Sequence, residues 1–491
     1  MDQAHSIEVP MQNIFCDAMG QGYGCSIGLA LDAIVVSPSP SCQTTSEPGI
    51  VASSDFILQF PPHLTNDDAD YVVLVQINGN NLQEDFLSMT LPQKGKKGNG
   101  AMCTFQQGHS TKPSTDILQQ LVQQRFLTPG RNLIRYILVR KEKKWVESGQ
   151  EEAEDQQGGQ DQKQQYTPIG QTEAYVYLWS VYDTIVISDI DGTVTKSDVR
   201  GVIDSIFTEN YGHVHEGVCS LFSELVKYQK EQQGDDNPSK EEKKGKVRVL
   251  YLSARPMRLI HSTRKFLSLL SQKNQVSPVS ASPISLSSSN RGFMACMNGP
   301  WVAHDVVVDV LDKSTVGLPP GPIFLHTGTL STVLMTELVK KSTHEFKADL
   351  LARQVVLPFV AAGKKSSGSR LFLAGFGNKK TDSLAYEMVG IASHDIYIID
   401  KNSVLVSTNA GLEFEEIDAR EELDGVGCFP WEPLAVATCG LGPKEDFSSD
   451  KISVSNPSKA TNSNTQQKKR LFRGYNDPKL KRELFYRISS H

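Results

Sequence analysis

Two aspartates, Asp189 and Asp191, stand directly behind the apolar run Thr184-Ile185-Val186-Ile187-Ser188 and ahead of Gly192 and Thr193. The run reads as a buried strand, and ligands of an open parallel sheet gather beyond the carboxyl ends of its strands. Both carboxylates are therefore expected where chemistry occurs. Residues i and i+2 of an extended chain point the same way. Two carboxylates so placed repel unless a cation or a shared proton offsets them. Mg²⁺ suits such oxygens, and Gly192 lets the backbone turn away. Asp and Gly are also ordinary turn residues, but a D-x-D-G-T closing an apolar run favours the chemical reading.

Three later stations extend this reading. Val247 to Leu252 ends in Ser253-Ala254-Arg255, where a strand-terminal hydroxyl can donate to a phosphate oxygen or simply cap a helix. Lys347, in Thr343-His344-Glu345-Phe346-Lys347, could stabilise a phosphoryl group as a point charge. Spacing alone leaves Lys340 and Lys341 as rivals and a solvated helix lysine as the plainer reading. Leu371 to Ala374 leads into Gly375-Phe376-Gly377-Asn378-Lys379-Lys380-Thr381-Asp382. Four residues apart, Asn378 and Asp382 could share one helical turn as oxygen ligands, or form a strand-to-helix cap.

The elements that must position these residues change along the chain. Ala33 to Val36, Phe56 to Phe60, Tyr71 to Ile77 and Asn132 to Val139 read as strands. Asn78-Gly79 marks a turn, and 92 to 115 read as a long loop. Residues 147 to 165 are Glu, Asp, Gln and Gly with almost no apolar side chain, and read as a disordered insert. From Ala174 onward, short apolar runs alternate with helical stretches: Ala174 to Trp179, Thr184 to Ser188, Val247 to Leu252, Ile323 to Leu325, Leu371 to Ala374 and Ile396 to Ile399. That pattern argues for an α/β fold with a parallel sheet and crossover helices. Polar inserts fall at 229–246 and 271–290. The organisation expected is an N-terminal segment 1–23, a β-rich unit 24–182, a catalytic unit 183–410, an extension 411–440 and a polar tail 441–491.

Composition narrows the classes. The 491 residues are 39% hydrophobic and 22% charged, with net charge −6, so no global basic excess points to nucleic acid. The best apolar stretch, Ile27 to Val36, is too short to cross a bilayer and contains Asp32. No secretory signal is evident at the N-terminus. Eight scattered cysteines without a C-x-x-C pair suit reduced thiols in the cytosol or nucleus.

In the order Asp189/Asp191, Ser253, Lys347 and Asn378/Asp382, the chain resembles the haloacid-dehalogenase-type phosphatases. A closer resemblance is to the lipin family of phosphatidate phosphatases. It rests on Tyr177-Leu178-Trp179, Val186 to Asp198, Leu252-Ser253-Ala254-Arg255, Leu318 to Ile323, Phe346-Lys347 and Gly375 to Lys379. Leu31 to Val36, Phe56 to Phe60 and Ile77 to Asn80 resemble the family's N-terminal region, and Leu127 to Asn132 resemble the lead-in to its catalytic half. The resemblance implies a haloacid-dehalogenase-like Rossmannoid parallel sheet plus an immunoglobulin-like β-sandwich. It also implies Mg²⁺-dependent conversion of phosphatidate to diacylglycerol. Asp189 would be the nucleophile and Asp191 the acid/base. Thr193, Ser253 and Lys347 would bind phosphate. Asp189, Asp191 and Asn378 would hold Mg²⁺, with Asp382 behind them. The location implied is cytoplasmic, peripheral on endoplasmic reticulum or nuclear membrane, or nuclear. A phosphatase of a soluble or protein phosphate and a non-catalytic coregulator are the alternatives.

Partner expectations follow. The enzyme would meet a phosphatidate-containing membrane peripherally, with no transmembrane span and no nucleic acid. Met11, Ile14, Phe15 and Ala18 share one side of a helix that lacks Lys and Arg. Lys468 to His491 holds eight Lys/Arg against two acidic residues, so this C-terminal segment is expected to be the main electrostatic membrane contact. Leu480, Leu484, Phe485 and Ile488 would form its apolar side. The Ser-Pro sites Ser37, Ser39, Ser277 and Ser282 are expected in loops open to a proline-directed kinase.

Overall fold

The computed structural model describes residues 26–38, 50–65, 69–92, 102–145, 162–196, 214–231, 245–273, 315–327, 343–364, 370–408 and 469–489. The expected N-terminal helix and the extension 411–440 lie outside them, as do Ser39, Ser277 and Ser282 and most of the polar inserts.

Alternation of apolar side chains builds the N-terminal half. Its main strands are β1 (Ala33–Ser37), β2 (Asp70–Ile77), β3 (Gly130–Trp145) and β4 (Gln162–Ser180). They lie in the order β1-β4-β3-β2 within a nine-stranded sheet. Strands β3 and β4 pair antiparallel from Gly130↔Leu178 to Trp145↔Gln162, and β4 runs parallel to β1. A tight turn closes β2 onto Asn80–Asn81, with Asn78 and Gly79 both at positive φ. Helix α1 (Thr115–Gln123) packs Ile117, Leu118 and Leu121 against one face of the sheet.

The second sheet carries the site. Its strands are β5 (Thr184–Asp189), β6 (Val247–Pro256), β7 (Ile323–His326), β8 (Phe372–Gly377), β9 (Ile396–Ile399), β10 (Leu405–Thr408) and β11 (Lys469–Phe472). The order is β7-β6-β5-β8-β9-β10-β11. The first five are parallel, and β10 and β11 join by antiparallel pairing. Helices α2 (Val218–Glu231), α3 (Ile260–Leu269), α4 (Thr343–Leu351), α5 (Lys380–Met388) and α6 (Pro478–Ser489) belong to this half, as does the short helix Leu357–Ala361. The protein is thus α/β.

Period-two alternation also welds the halves. Ala33, Val35, Val176 and Leu178 face the N-terminal core, whereas Ile34, Val36, Tyr177 and Trp179 turn the other way. There they share one apolar cluster with Ile185, Ile187, Leu250 and Leu252 of the second sheet. The opposite face of that sheet is covered by α2, α3 and α6.

Several expectations are corrected. Of the run Phe56 to Phe60, only Leu58–Gln59 is strand. Residues 162–165 of the expected insert extend β4, because β3 supplies them with a full antiparallel ladder. Ser37 is the last residue of β1, paired with Ser180 and only 3% exposed, so a kinase cannot reach it in the folded chain. Ser253 to Pro256 continue β6, and Gly375 to Gly377 lie inside β8.

The largest correction concerns the C-terminus. Lys469 to Ser489 are not a tail. β11 completes the sheet edge, and α6 buries Leu480, Leu484 and Ile488 in the core with Phe472 and Tyr475. The apolar side expected to enter a membrane is already occupied by protein. Among the described residues, no helix is long and apolar enough to cross a membrane.

Candidate active site

Asp189 ends β5 and is 3% exposed. Its Oδ1 accepts from Lys347 Nζ at 2.5 Å, while its Oδ2 has a 3.4 Å contact from the Thr193 hydroxyl. Burial pushes the Asp189 carboxyl up to about 7, with Lys347 opposing and Asp382 and Asp191 reinforcing the rise. Burial would discharge Lys347, but Asp189 and Asp382 outweigh it and hold the ammonium above its ordinary range.

Lys347 is brought here, and its rivals Lys340 and Lys341 lie outside the described residues. It lies in the second turn of α4, buried, and its second bond, at 2.7 Å, goes to Asp382. The other carboxylate oxygen of Asp382 accepts from the backbone N–H groups of Asn378 and Lys379 at 3.0 and 2.9 Å. Asp382 therefore caps α5 and restrains Lys347 at once. Asn378 precedes the helix, so the two residues do not share a helical turn as expected. Gly377 is needed beside them, since a Cβ there would sit 2.5 Å from that of Asp382.

Across the same strand ends, Asp191 accepts from Ser253 Oγ at 2.8 Å. It also meets Arg255, whose Nε lies 3.0 and 3.1 Å from the two carboxylate oxygens and whose Nη2 lies 2.5 Å from Oδ1. Arg255 is 2% exposed and was not singled out from sequence. A signal existed: it lies two residues beyond Ser253 on the same strand, so it faces the same side. Ser253 Oγ in turn accepts from the Arg255 N–H at 3.0 Å.

Asn378 reaches the acidic loop at Gly192. That glycine has φ +79°, and a Cβ on it would fall 1.8 Å from Asn378 Nδ2. Thr193 is fully buried, and its carbonyl accepts from the hydroxyl of Tyr475 at 2.9 Å. Nothing local in the sequence marked Tyr475, which lies 282 positions away. The structure thus brings together all seven residues singled out: Asp189, Asp191, Thr193, Ser253, Lys347, Asn378 and Asp382.

Three carboxylates face two cations, Lys347 and Arg255, which leaves the cluster at −1. Such a cluster, with Asp189 Oδ2 only loosely engaged and the Asn378 amide against the loop, suits a hard divalent cation. Among the described residues no group of three or more His, Cys, Asp and Glu side chains could hold a metal ion. The amide and a backbone carbonyl would have to share the task.

The family model that matches is LNS2 (Lipin/Ned1/Smp2), over residues 160–232 and 301–421. Over these blocks the chain is similar to the lipin family. The matched blocks contain Asp189, Asp191, Thr193, Lys347, Asn378 and Asp382, whereas Ser253 and Arg255 fall between them. Similar proteins include phosphatidate phosphatase PAH1 of Arabidopsis thaliana, 27% identical over 47% of this chain and 18% of its own. Phosphatidate phosphatase LPIN1 of Homo sapiens is 26% identical over 50% and 20%. Phosphatidic acid phosphohydrolase 1 of Saccharomyces cerevisiae is 28% identical over 47% and 20%. The chain spans about a fifth of the length of these relatives.

Proposed function

We propose that this chain is a lipin-like, Mg²⁺-dependent phosphatidate phosphatase that works peripherally at a membrane. The observation that carries the reading is the convergence of Asp189, Asp191, Lys347 and Asn378 at the carboxyl ends of parallel strands within the LNS2 blocks. The residue chemistry alone would serve a soluble phosphomonoester equally well. The preference for lipid rests on relatives whose names specify phosphatidate.

The Asp189 carboxylate, the Asp191 backbone carbonyl and the Asn378 side chain would hold Mg²⁺, which when bound would offset the charge of the carboxylates and of the phosphoryl group. Asp189 attacks phosphorus in line. The phosphorus–oxygen bond to diacylglycerol breaks, and an aspartyl-phosphate forms. Asp191 gives the leaving oxygen its proton, then takes one from the water that attacks phosphorus and frees Asp189. Both tasks require the Asp191 carboxyl to turn from Arg255 toward the phosphoryl group. Lys347, Ser253 and Thr193 bind and orient the phosphoryl oxygens.

Several exposed cations follow the ends of strands that run toward this site: Lys196 after β5, Lys379 and Lys380 after β8, Lys401 after β9 and Arg473 after β11. An anionic surface would meet that edge favourably. The reading places the chain on the endoplasmic reticulum or nuclear membrane. It treats the N-terminal β half as immunoglobulin-like, and Ser39, Ser277 and Ser282 as sites for a proline-directed kinase. The test is phosphate release from phosphatidate in mixed micelles. Release is expected with Mg²⁺, and none after chelation or in Asp189→Asn. Equal release by Asp189→Asn would overturn the mechanism.

A further inference from the structure

The acidic loop folds around one carbonyl. That of Ile190 accepts from the N–H groups of Val194 and Thr195 at 3.0 and 3.1 Å, and the Thr195 hydroxyl accepts from the Gly192 N–H at 3.1 Å. Val194 is tied outward, its carbonyl accepting from the His215 N–H at 3.0 Å. The Thr193 carbonyl points to another part of the chain, Tyr475. Burial makes this bond consequential, because a carbonyl closed off from water needs a donor. Thr193 is also the residue whose hydroxyl lies against Asp189 Oδ2.

Tyr475 is itself held on several sides. Its ring lies 5.9 Å from Phe222 of α2, 5.8 Å from Phe376 of β8 and 6.3 Å from His215. Gly474 before it turns at φ +103°. After it, Asn476 lies so close to Gly217 that a Cβ there would fall 2.4 Å from the amide oxygen. Asp477 then accepts from the N–H groups of Arg473 at 2.7 Å and Lys479 at 2.8 Å, fixing the corner between β11 and α6.

We infer that the C-terminal segment Lys469–Ser489 is a brace for the nucleophile loop, and that Tyr475 is a positioning residue acting through the Thr193 carbonyl. The bond holds Thr193 in place, Thr193 holds its hydroxyl against Asp189, and the in-line geometry of Asp189 depends on both. A displacement of about 1 Å far from the reacting atoms can cost two orders of magnitude in rate. The inference rests on Asp189 being the nucleophile, as proposed above.

The test uses the full chain carrying Tyr475→Phe, which keeps the ring and deletes the hydroxyl. Tyr182→Phe, which deletes the hydroxyl of an exposed tyrosine outside the segment, serves as the control. The kcat for phosphate release from phosphatidate should fall about tenfold in Tyr475→Phe, with KM unchanged and thermal unfolding close to that of the wild type. It should be unaltered in Tyr182→Phe. Amide hydrogen exchange across 190–195 is read in parallel and needs no substrate. It should quicken in Tyr475→Phe and stay protected in Tyr182→Phe. Wild-type kcat with unchanged exchange in Tyr475→Phe overturns the brace, as does activity lost only in proportion to folded protein. If the wild type releases no phosphate from phosphatidate but does from a soluble phosphomonoester, the substrate reading fails and the brace is judged on that substrate. If it releases none from either, exchange alone decides.

Discussion

Asp189 concentrates opposed electrostatic demands in one buried carboxyl. Its pKa lies near 7 in the fold and near 3.8 outside it. A carboxyl raised in this way is penalised wherever it is ionised, so the folded chain loses stability as pH rises from about 4 to 7. Asp189→Asn removes that penalty along with the nucleophile proposed above. The variant should show no turnover, yet melt about 2–4 °C above the wild type at pH 8 in metal-free buffer, a gain on the order of 1 kcal/mol. The gain should vanish below about pH 4. Thermal melts across that range, beside an activity assay, check both halves of the expectation. Gly192→Ala tests the loop differently: its methyl group would collide with Asn378 and force φ +79° on an alanine. The Mg²⁺ titration of activity should move to higher concentration, and an unchanged titration would remove Asn378 from the ligand set. At this scale much of the site was legible, because strand ends concentrate chemistry and the D-x-D-G-T loop is short and local. Arg255 and Tyr475 were not, since a guanidinium on a strand and a tyrosine in a basic segment acquire meaning only from what folds against them.

Elements were legible where one face is buried and one period dominates, as in β1, β2 and β5. Reading stopped short where glycine or a polar residue continues a buried strand. Gly375 lies inside its strand because parallel neighbours on both sides supply the ladder, whereas Ser253 lies in an irregular stretch of β6 between its last pair with β5, at Leu252, and its final pair with β7, at Pro256. The C-terminal helix is ambiguous in sequence for a different reason. An amphipathic basic helix has the same pattern whether its apolar side meets lipid or a protein core. Burial settles it for α6, where Leu484 is 0% exposed, the ring of Phe485 stacks on Tyr228 and Lys481 pairs with Glu224. Leu484→Ala should therefore cost about 2–5 kcal/mol in denaturant unfolding. A membrane-facing leucine would cost almost nothing in the absence of lipid. A chain ending at Thr465 should lose β11 and α6, and with them cooperative folding. Such a truncation therefore cannot serve to measure membrane attachment. A truncated chain with wild-type stability would restore the tail interpretation.

The two halves meet through a small number of buried polar joints as well as through apolar packing. Asp32, 1% exposed, precedes β1 and accepts from Arg264 Nη2 of α3 at 2.7 Å. It also accepts from the N–H groups of Tyr175 in β4 and Ile323 in β7, each at 3.0 Å. A second joint links Asp55 to Gln354 by two 2.8 Å bonds, and His261 of α3 meets the Gly28 carbonyl at 3.1 Å. Strand β7, helix α3 and Gln354 are thus tied to residues from the first sixty positions, and the N-terminal half is part of the structure that holds the second sheet in register. Asp32→Asn would place an amide NH₂ among three donors and strip Arg264 of its carboxylate partner inside the joint. Removing one partner of a buried ion pair costs about 3–5 kcal/mol. Because the joint is shared, the loss should appear as one cooperative transition at a lower denaturant midpoint, followed equally by tryptophan fluorescence and by far-ultraviolet dichroism. Two separated transitions, or a midpoint equal to that of the wild type, would show instead that the halves fold as independent units and that Asp32 does not join them.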